Sequence, residues 1–134
     1  MVAVLVVDDD PTHRALVGEV LATELGARIV EARDGYEALL RLQEERPDLV
    51  VLDLRMPRVD GLGVLRWLAS NRRCAAVPVI VLTALEPCAS LAGLEPAVVH
   101  TLRKPFDLDE LASAARTALA ARPPRAEPAT PTGG

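Results

Sequence analysis

Three short, continuous apolar runs constrain the fold of this chain more than any other feature of its sequence. They are VAVLVV (2–7), DLVVLDL (48–54) and VPVIVLTA (77–84). A strand that is apolar on both sides of its pleat must be covered on both faces, and this pattern is typical of parallel sheets. The runs therefore predict a parallel sheet with helices packed on both of its faces.

Helical patterns lie between these strands, together with two weaker strands, ARIVEA (27–32) and AVVHTL (97–102). The predicted helices are PTHRALVGEVLATEL, which ends before Gly26, GYEALLRLQEER, which ends before Pro47, GLGVLRWLASNRR and DLDELASAARTALAAR. Strand and helix thus alternate along the chain with short connections. We expect an α/β fold, an open and doubly wound sheet of five parallel strands with right-handed crossovers.

Two segments lack the pattern of a strand or of a full helix. LEPCASLAGLEPA (85–97) contains two prolines and a glycine, which predicts a brief or mobile fourth helix. PPRAEPATPTGG (123–134) has no apolar periodicity, which predicts a disordered, proline-rich tail. We therefore expect one domain over residues 1–122, followed by this tail and by no output domain.

Charge and composition argue against several classes of protein. The net charge of −4 and the pI near 5.2 offer no basic surface for direct binding of nucleic acid or of an anionic membrane. The apolar stretches are too short to span a membrane. Cys74 and Cys88 fit neither a disulfide framework nor a metal knuckle. We expect a cytoplasmic protein with reduced thiols.

Three aspartates, Asp8, Asp9 and Asp10, follow the first strand, and Asp53 lies near the end of the third. In an open parallel sheet, the binding crevice forms at the carboxyl ends of the strands, where strand order reverses. If the order is 2-1-3-4-5, Asp8, Asp9 and Asp53 share one pocket, where their repulsion favours a bound cation. Oxygen ligands with room for water suit Mg²⁺. Asp10 before Pro11 has the simpler role of a helix N-cap.

Other strand ends of the predicted sheet also carry polar groups. DLRMPRVDG (53–61) includes the end of the third strand, VLTA (81–84) ends the fourth with a hydroxyl group, and KPF (104–106) follows the fifth with an ammonium group. Each feature alone is common, because Thr, Lys, Pro and Gly occur at many strand ends and turns. Their convergence at one edge of a sheet indicates a functional site.

The ordered set VVDD, DLRMPRVDG, LTA and RKPF resembles the receiver domain of two-component response regulators, over residues 2–121. The resemblance implies the flavodoxin-like sheet order 2-1-3-4-5, with helices on both faces. It also implies a phosphoacceptor signalling module, in a two-component system or a phosphorelay, which takes its phosphoryl group from a histidine kinase or a histidine phosphotransfer protein. Such a module catalyses its own phosphorylation and dephosphorylation and acts on no external metabolite.

The resemblance also implies the roles of the acidic residues. Asp53 would be the phosphoacceptor. Asp9 and Asp53 would bind Mg²⁺ directly, Asp8 would act through water, and the backbone carbonyl of Arg55 would complete the metal site. The downstream protein that reads the phosphorylated state is not specified by these motifs.

Two further positions follow from the resemblance, and a third departs from it. Thr83 would sense the phosphoryl group, and Lys104 would provide its counter-charge. Receivers usually carry Tyr or Phe three residues before the lysine, where this chain has Thr101. Without this ring, a change between two conformations of the fifth-strand face would bury or expose little side-chain area. We therefore expect a monomer or a weak dimer whose fifth-strand face responds little to phosphorylation.

The family resemblance places the kinase contact on the first helix and on the loop after the fifth strand. In this chain the corresponding residues are His13, Arg14, Val17, Pro105 and Phe106. The simpler interpretation is that His13 and Arg14 are solvated residues of the first helical turn. Both interpretations stay open at the level of sequence.

Alternative functions make different demands on the sequence. A receiver-like interaction domain that needs no phosphorylation could lose the charged residues, yet Asp53, Lys104 and the acidic pair are all present. A phosphatase of the haloacid dehalogenase type would carry a second Asp two positions after the first, where this chain has Arg55. A flavodoxin-like nucleotide site would place Gly, Ser and Thr after the first strand, where three aspartates would repel phosphate. The interaction domain is the main alternative.

Overall fold

The computed structural model describes residues 2–53, 61–70, 77–83, 98–103 and 106–121. Its strands are β1 (Ala3–Val7), β2 (Arg28–Ala32), β3 (Leu49–Asp53), β4 (Val79–Thr83) and β5 (Val98–Arg103). Its helices are α1 (Pro11–Leu25), α2 (Gly35–Glu45), α3 (Gly61–Ser70) and α4 (Leu108–Ala121). The strands are parallel and lie in the order β2-β1-β3-β4-β5. The predicted doubly wound α/β fold and its strand order are confirmed.

Alternating side chains of the strands form two separate cores, one on each face of the sheet. Leu5 and Val7 of β1 pack in the core that α2 and α3 cover. Val4 and Val6 pack in the opposite core, which α1 and α4 cover. All four side chains are at most 1% exposed, so β1 is buried on both faces, as its continuous apolar sequence predicts.

Helix α1 begins immediately after the acidic end of β1. The side chain of Asp10 accepts hydrogen bonds from the backbone amides of Thr12, at 3.0 Å, and His13, at 3.3 Å. Pro11 occupies the first helical position, and Gly26 ends the helix with φ of 64°. The predicted N-cap role of Asp10 is confirmed, and it directs the first turn of α1 over the end of β1.

Helix α2 ends at Glu45, one residue earlier than the sequence pattern suggests. Arg46 has φ of 47° and φ/ψ in the left-handed region. It precedes Pro47, whose ring disfavours a helical conformation at the residue before it. Strand β3 then begins at Leu49 and runs to Asp53.

Strand β5 is displaced by one residue from its predicted position and reaches Arg103. Its pairing with β4 is irregular, since Val79 lies opposite Val98 and the next residue, Ile80, lies opposite His100. One residue of β5 is therefore extra, and each later residue of β5 lies opposite a residue of β4 one position earlier than an unbroken register would give. Lys104 follows directly in the sequence, outside the described residues.

Three predictions lie outside the described residues and stay untested. They are the short helix at 85–97, the tail at 123–134 and the domain boundary at residue 122. Within the described ranges, no helix combines the length and the apolar character that crossing a membrane requires.

Candidate functional site

The site lies at the carboxyl edge of the two central strands, β1 and β3. Val7 of β1 and Leu52 of β3 are register partners, and each is followed by an aspartate. Val6 and Val51 point into the core under α1 and α4. Asp8 and Asp53 each come two residues later. Because side chains alternate along a strand, both carboxylates lie on that same face of the sheet. Asp8 is 2% exposed and Asp53 is 3% exposed.

Asp9 joins this pair from the solvent side. One carboxylate oxygen from each of Asp8, Asp9 and Asp53 lies within 4.8 Å of the other two, and Asp9 is exposed. Two full charges 4.8 Å apart, the upper limit within this group, repel each other by roughly 3.5 kcal/mol at an effective dielectric constant of about 20. A cation at this position would offset that repulsion.

The ligands in this group are all carboxylate oxygens, which suit a hard divalent ion. Two are buried and fixed by strands, while Asp9 faces solvent, so a bound ion could keep several water molecules. This combination fits Mg²⁺ better than Zn²⁺, which prefers nitrogen and sulfur ligands in a closed tetrahedron.

The side chain of Asp8 is held on both of its oxygens. Oδ1 accepts a hydrogen bond from the backbone amide of Asp10 at 2.9 Å. Oδ2 accepts a hydrogen bond from Nδ1 of His13. An ionised carboxylate can only accept, so the hydrogen of this contact belongs to the imidazole. The orientation of Asp8 is therefore set by the first turn of α1.

The backbone of Asp8 is fixed in the same way. The amide of Asp8 donates to the carbonyl of Ala32 at 3.1 Å, which extends the pairing of β1 with β2. Arg14 donates from one terminal nitrogen to the carbonyl of Asp8 at 2.8 Å and from Nε to Glu31 at 2.8 Å. The side chain of Arg14 is only 17% exposed, so this residue connects α1, the end of β1 and β2.

The ring of His13 also contacts Phe106. The two ring centroids lie 6.0 Å apart with an interplanar angle of 68°, an edge-to-face arrangement. Phe106 is half-buried and packs against the core under α1 and α4. The contact joins the first turn of α1 to the residues that precede α4.

The other predicted site residues are only partly described. Thr83 is the last residue of β4, opposite Arg103 of β5, so its backbone lies at the same edge of the sheet as the acidic group. Arg55, Lys104 and Pro105 lie outside the described residues. Their predicted roles stay predictions.

Thr101 is half-buried on β5, opposite Val81 of β4. Val81 belongs to the core under α2 and α3, whereas Leu102 packs against the opposite core. Thr101 and Leu102 therefore lie on opposite faces of the sheet, as strand alternation predicts.

One residue of the predicted partner surface must be corrected. Val17 is 0% exposed and packs in the core with Leu21, one helical turn later. A residue in that position cannot contact another protein. Its neighbour Leu16 is 43% exposed and provides the apolar surface on this part of α1.

Sequence reasoning missed the contact of His13 with Asp8. With Asp10 as N-cap, His13 is the third helical residue, and side chains of a helix tilt toward its N-terminus. That tilt directs the imidazole toward the end of β1 rather than toward solvent. The signal was therefore present in the spacing between Asp10 and His13.

Comparison with known proteins agrees with this geometry. The family model described as response regulator receiver domain matches residues 4–116. The chain is 42% identical over 117 residues to "Probable transcriptional regulator ycf27" of Pyropia yezoensis, covering 87% of this chain and 46% of the relative. It is 40% identical over 131 residues to "Response regulator MprA" of Mycobacterium sp. (strain KMS), covering 97% of this chain and 56% of the relative.

Solved structures show the same fold. The chemotaxis protein CheY4 of Vibrio cholerae superposes with a TM-score of 0.79 at 26% identity, covering 88% of this chain and 98% of that one. The signal receiver domain of a histidine kinase from Syntrophus aciditrophicus gives a TM-score of 0.81 at 29% identity, covering 100% of this chain and 98% of that one. The chain spans about half the length of the curated relatives it matches. With a family model that matches most of its length, the chain belongs to the response regulator receiver domain family.

Proposed function

We propose that this receiver domain is a phosphoacceptor, modified on Asp53 in a reaction that requires Mg²⁺. The observation that supports the proposal is the convergence of Asp8, Asp9 and Asp53 at the carboxyl edge of β1 and β3. Two buried carboxylates with a third beside them destabilise the folded protein unless a cation or hydrogen-bond donors compensate their charge. Membership of the receiver family supports a cation in this role.

Asp9 and Asp53 would bind the metal directly, Asp8 would act through water, and the carbonyl of Arg55 would complete the set. When bound, Mg²⁺ supplies positive charge that neutralises the oxygens of the phosphoryl group. The register pairing of Val7 with Leu52, which directly precede Asp8 and Asp53, supports the proposal that these two carboxylates face the same ion.

Asp53 itself would act as the nucleophile. One of its oxygens forms a bond to phosphorus while the bond from phosphorus to the imidazole nitrogen of the donor breaks, and that nitrogen keeps the electron pair. Such a transfer depends chiefly on positioning and on charge stabilisation. Thr83 and Lys104 are the residues proposed to contact the phosphoryl oxygens, because Thr83 ends β4 and Lys104 follows β5 in the sequence.

The donor would be a histidine kinase or a histidine phosphotransfer protein. The module would catalyse its own phosphorylation and dephosphorylation and turn over no metabolite, and a downstream protein would read its state. Relatives of about twice its length contain further sequence. The expected absence of an output domain therefore stays a prediction.

Phosphorylation of the isolated chain tests the proposal. The protein is incubated with acetyl phosphate with and without Mg²⁺, and its intact mass is measured. We expect a gain of one phosphoryl group in the wild type, only with Mg²⁺, and none in Asp53→Asn. Asp34→Asn is a matched control, because Asp34 is also buried, at 5% exposure, but caps α2 and is not a member of the group formed by Asp8, Asp9 and Asp53. No mass gain in the wild type would favour the interaction domain that needs no phosphorylation, and an equal gain in Asp53→Asn would show that Asp53 is not the phosphoacceptor.

A further inference from the structure

The imidazole of His13 lies between the acidic group and an aromatic ring. Its Nδ1 donates to Oδ2 of Asp8, and its ring meets Phe106 edge to face. The histidine side chain is 29% exposed, while that of Asp8 is 2% exposed. His13 therefore lies at the protein surface between Phe106 and Asp8, and it connects the aromatic ring to the buried carboxylate of the site.

This contact decides how Asp8 can present its oxygens. The amide of Asp10 binds Oδ1, so His13 is the second described donor to this carboxylate and the one provided by a side chain. With one donor on each oxygen, the carboxylate cannot rotate freely, and its remaining lone pairs keep a fixed direction. Losing the imidazole would leave one oxygen of a buried carboxylate without that donor.

Phe106 fixes the imidazole from the other side. Phe106 is half-buried and packs against the core under α1 and α4. The ring of His13 thus lies between a buried carboxylate, that of Asp8, and the half-buried ring of Phe106. Hydrogen-bonded groups behind metal ligands commonly set ligand orientation, and their removal typically costs about 10- to 100-fold in metal affinity.

We propose that His13 is a positioning residue for the metal site, which sets the affinity for Mg²⁺ by fixing the carboxylate of Asp8. Phe106 holds the imidazole in place. The inference rests on the proposed function, since it concerns the same acidic group. It assigns His13 an intramolecular role in place of the partner contact predicted from the family resemblance.

Two substitutions separate the hydrogen bond from the ring contact. His13→Asn keeps a nitrogen donor close to the position of Nδ1 but removes the ring. His13→Phe keeps a ring beside Phe106 but removes the donor. Calorimetric titration with MgCl₂ measures the affinity directly and needs no phosphorylation. We expect His13→Phe to raise the Kd by about tenfold or more, and His13→Asn to raise it by about threefold or less.

A double substitution tests whether the effect passes through Asp8. In an Asp8→Ala background, His13→Phe should change the Kd by less than about twofold, because the acceptor of the imidazole hydrogen bond is already gone. Circular dichroism checks that each variant is folded. If His13→Phe does not fold, His13→Leu removes the same donor with a smaller side chain and replaces it in both measurements.

The outcomes distinguish this inference from the proposed function. If the wild type binds Mg²⁺ and His13→Phe binds it equally well, the positioning role alone is overturned. The same holds if His13→Phe and His13→Asn lose affinity for Mg²⁺ equally. An effect of His13→Phe that is as large in the Asp8→Ala background as in the wild type also overturns it. A wild-type protein that binds no Mg²⁺ overturns both the metal-dependent function and the role of His13.

Discussion

Val7 and Leu52 lie opposite each other in the parallel ladder of β1 and β3, and the next residue of each strand is a buried aspartate. The register thus brings two like charges together at the edge of the sheet, with Asp9 beside them. Strand pairing enforces this proximity regardless of whether a cation is present. The stability of the metal-free protein and its capacity to bind a cation are therefore coupled.

Replacing Asp9 should separate these two properties. We expect Asp9→Ala to abolish phosphorylation by acetyl phosphate while leaving the fold intact, because it removes a metal ligand and one of three repelling charges. The melting temperature without Mg²⁺ should equal or exceed that of wild type, and Mg²⁺ should no longer raise it. Normal phosphorylation of Asp9→Ala would contradict its role as a ligand.

Arg14 should influence the site although it touches no predicted metal-binding carboxylate. Arg14→Gln removes the guanidinium that binds the carbonyl of Asp8 and Glu31. We expect a loss of about 1–2 kcal/mol in the free energy of unfolding and slower phosphorylation by acetyl phosphate.

The matched control for Arg14 is Arg28→Gln, which breaks the exposed ion pair of Arg28 with Glu45. Its cost should be at most about 0.5 kcal/mol, because exposed pairs contribute little. Urea denaturation and phosphorylation rates measure both variants. Equal effects of the two substitutions would show that Arg14 has no special relation to Asp8.

The partner surface should be tested at Leu16 rather than at Val17 or Arg14. Leu16 on α1 and Leu40 on α2 are both 43% exposed, which makes them a matched pair. We expect Leu16→Glu to slow phosphoryl transfer from a phosphorylated histidine phosphotransfer protein that modifies the wild type, and Leu40→Glu to leave it unchanged. Neither should alter the rate with acetyl phosphate. Slowing of both donors by Leu16→Glu would indicate damage to the site instead.

The lifetime of the phosphoryl group depends on residues outside the described ranges. Arg55 and Leu85 lie two positions after Asp53 and Thr83 in the sequence. A long basic chain and an apolar chain should shield the phosphoryl group from water better than short polar ones. We expect slow autodephosphorylation in the wild type and faster loss of the phosphoryl group in the double variant Arg55→Asn, Leu85→Asn. Intact-mass measurements over time determine both rates. An unchanged decay rate would show that shielding by these residues does not control it.

The fold and the acidic group followed from the sequence because they depend on strong, repeated signals. Continuous apolar runs identify buried parallel strands, and the carboxyl ends of the central strands must then meet. The adjacency of Asp8 and Asp53 needed only the strand order. The irregular pairing of β5 with β4 was not predictable, because a bulge depends on how two particular strands pair.

The surroundings of His13 and Val17 were harder to infer, for different reasons. The burial of Val17 was available from its helical spacing to Leu21, but the family resemblance favoured an exposed role. The contact of His13 required the position of the N-cap, Asp10, and the tilt of helical side chains toward it. Local geometry thus corrected what resemblance alone implied.

The final prediction concerns the response of the fifth-strand face, where Thr101 occupies the place of the usual aromatic residue. Thr101 is half-buried opposite Val81, on the face away from Leu102. A threonine that changes position exposes or buries little area, and a ligand shifts an equilibrium only by its differential interaction with two states. We therefore expect phosphorylation to change residues 85–97 locally without strong dimerisation through β5.

Beryllofluoride, which takes the place of the phosphoryl group on Asp53, allows a direct measurement. Sedimentation equilibrium should show less than about a tenfold change in dimer affinity on its addition, or less than about 1.4 kcal/mol, while amide NMR shifts concentrate in 85–97. The matched variant Thr101→Tyr restores the ring at the same strand position and should increase the response of β5. A larger change in the wild type would show that a working switch exists without the ring, carried by another residue.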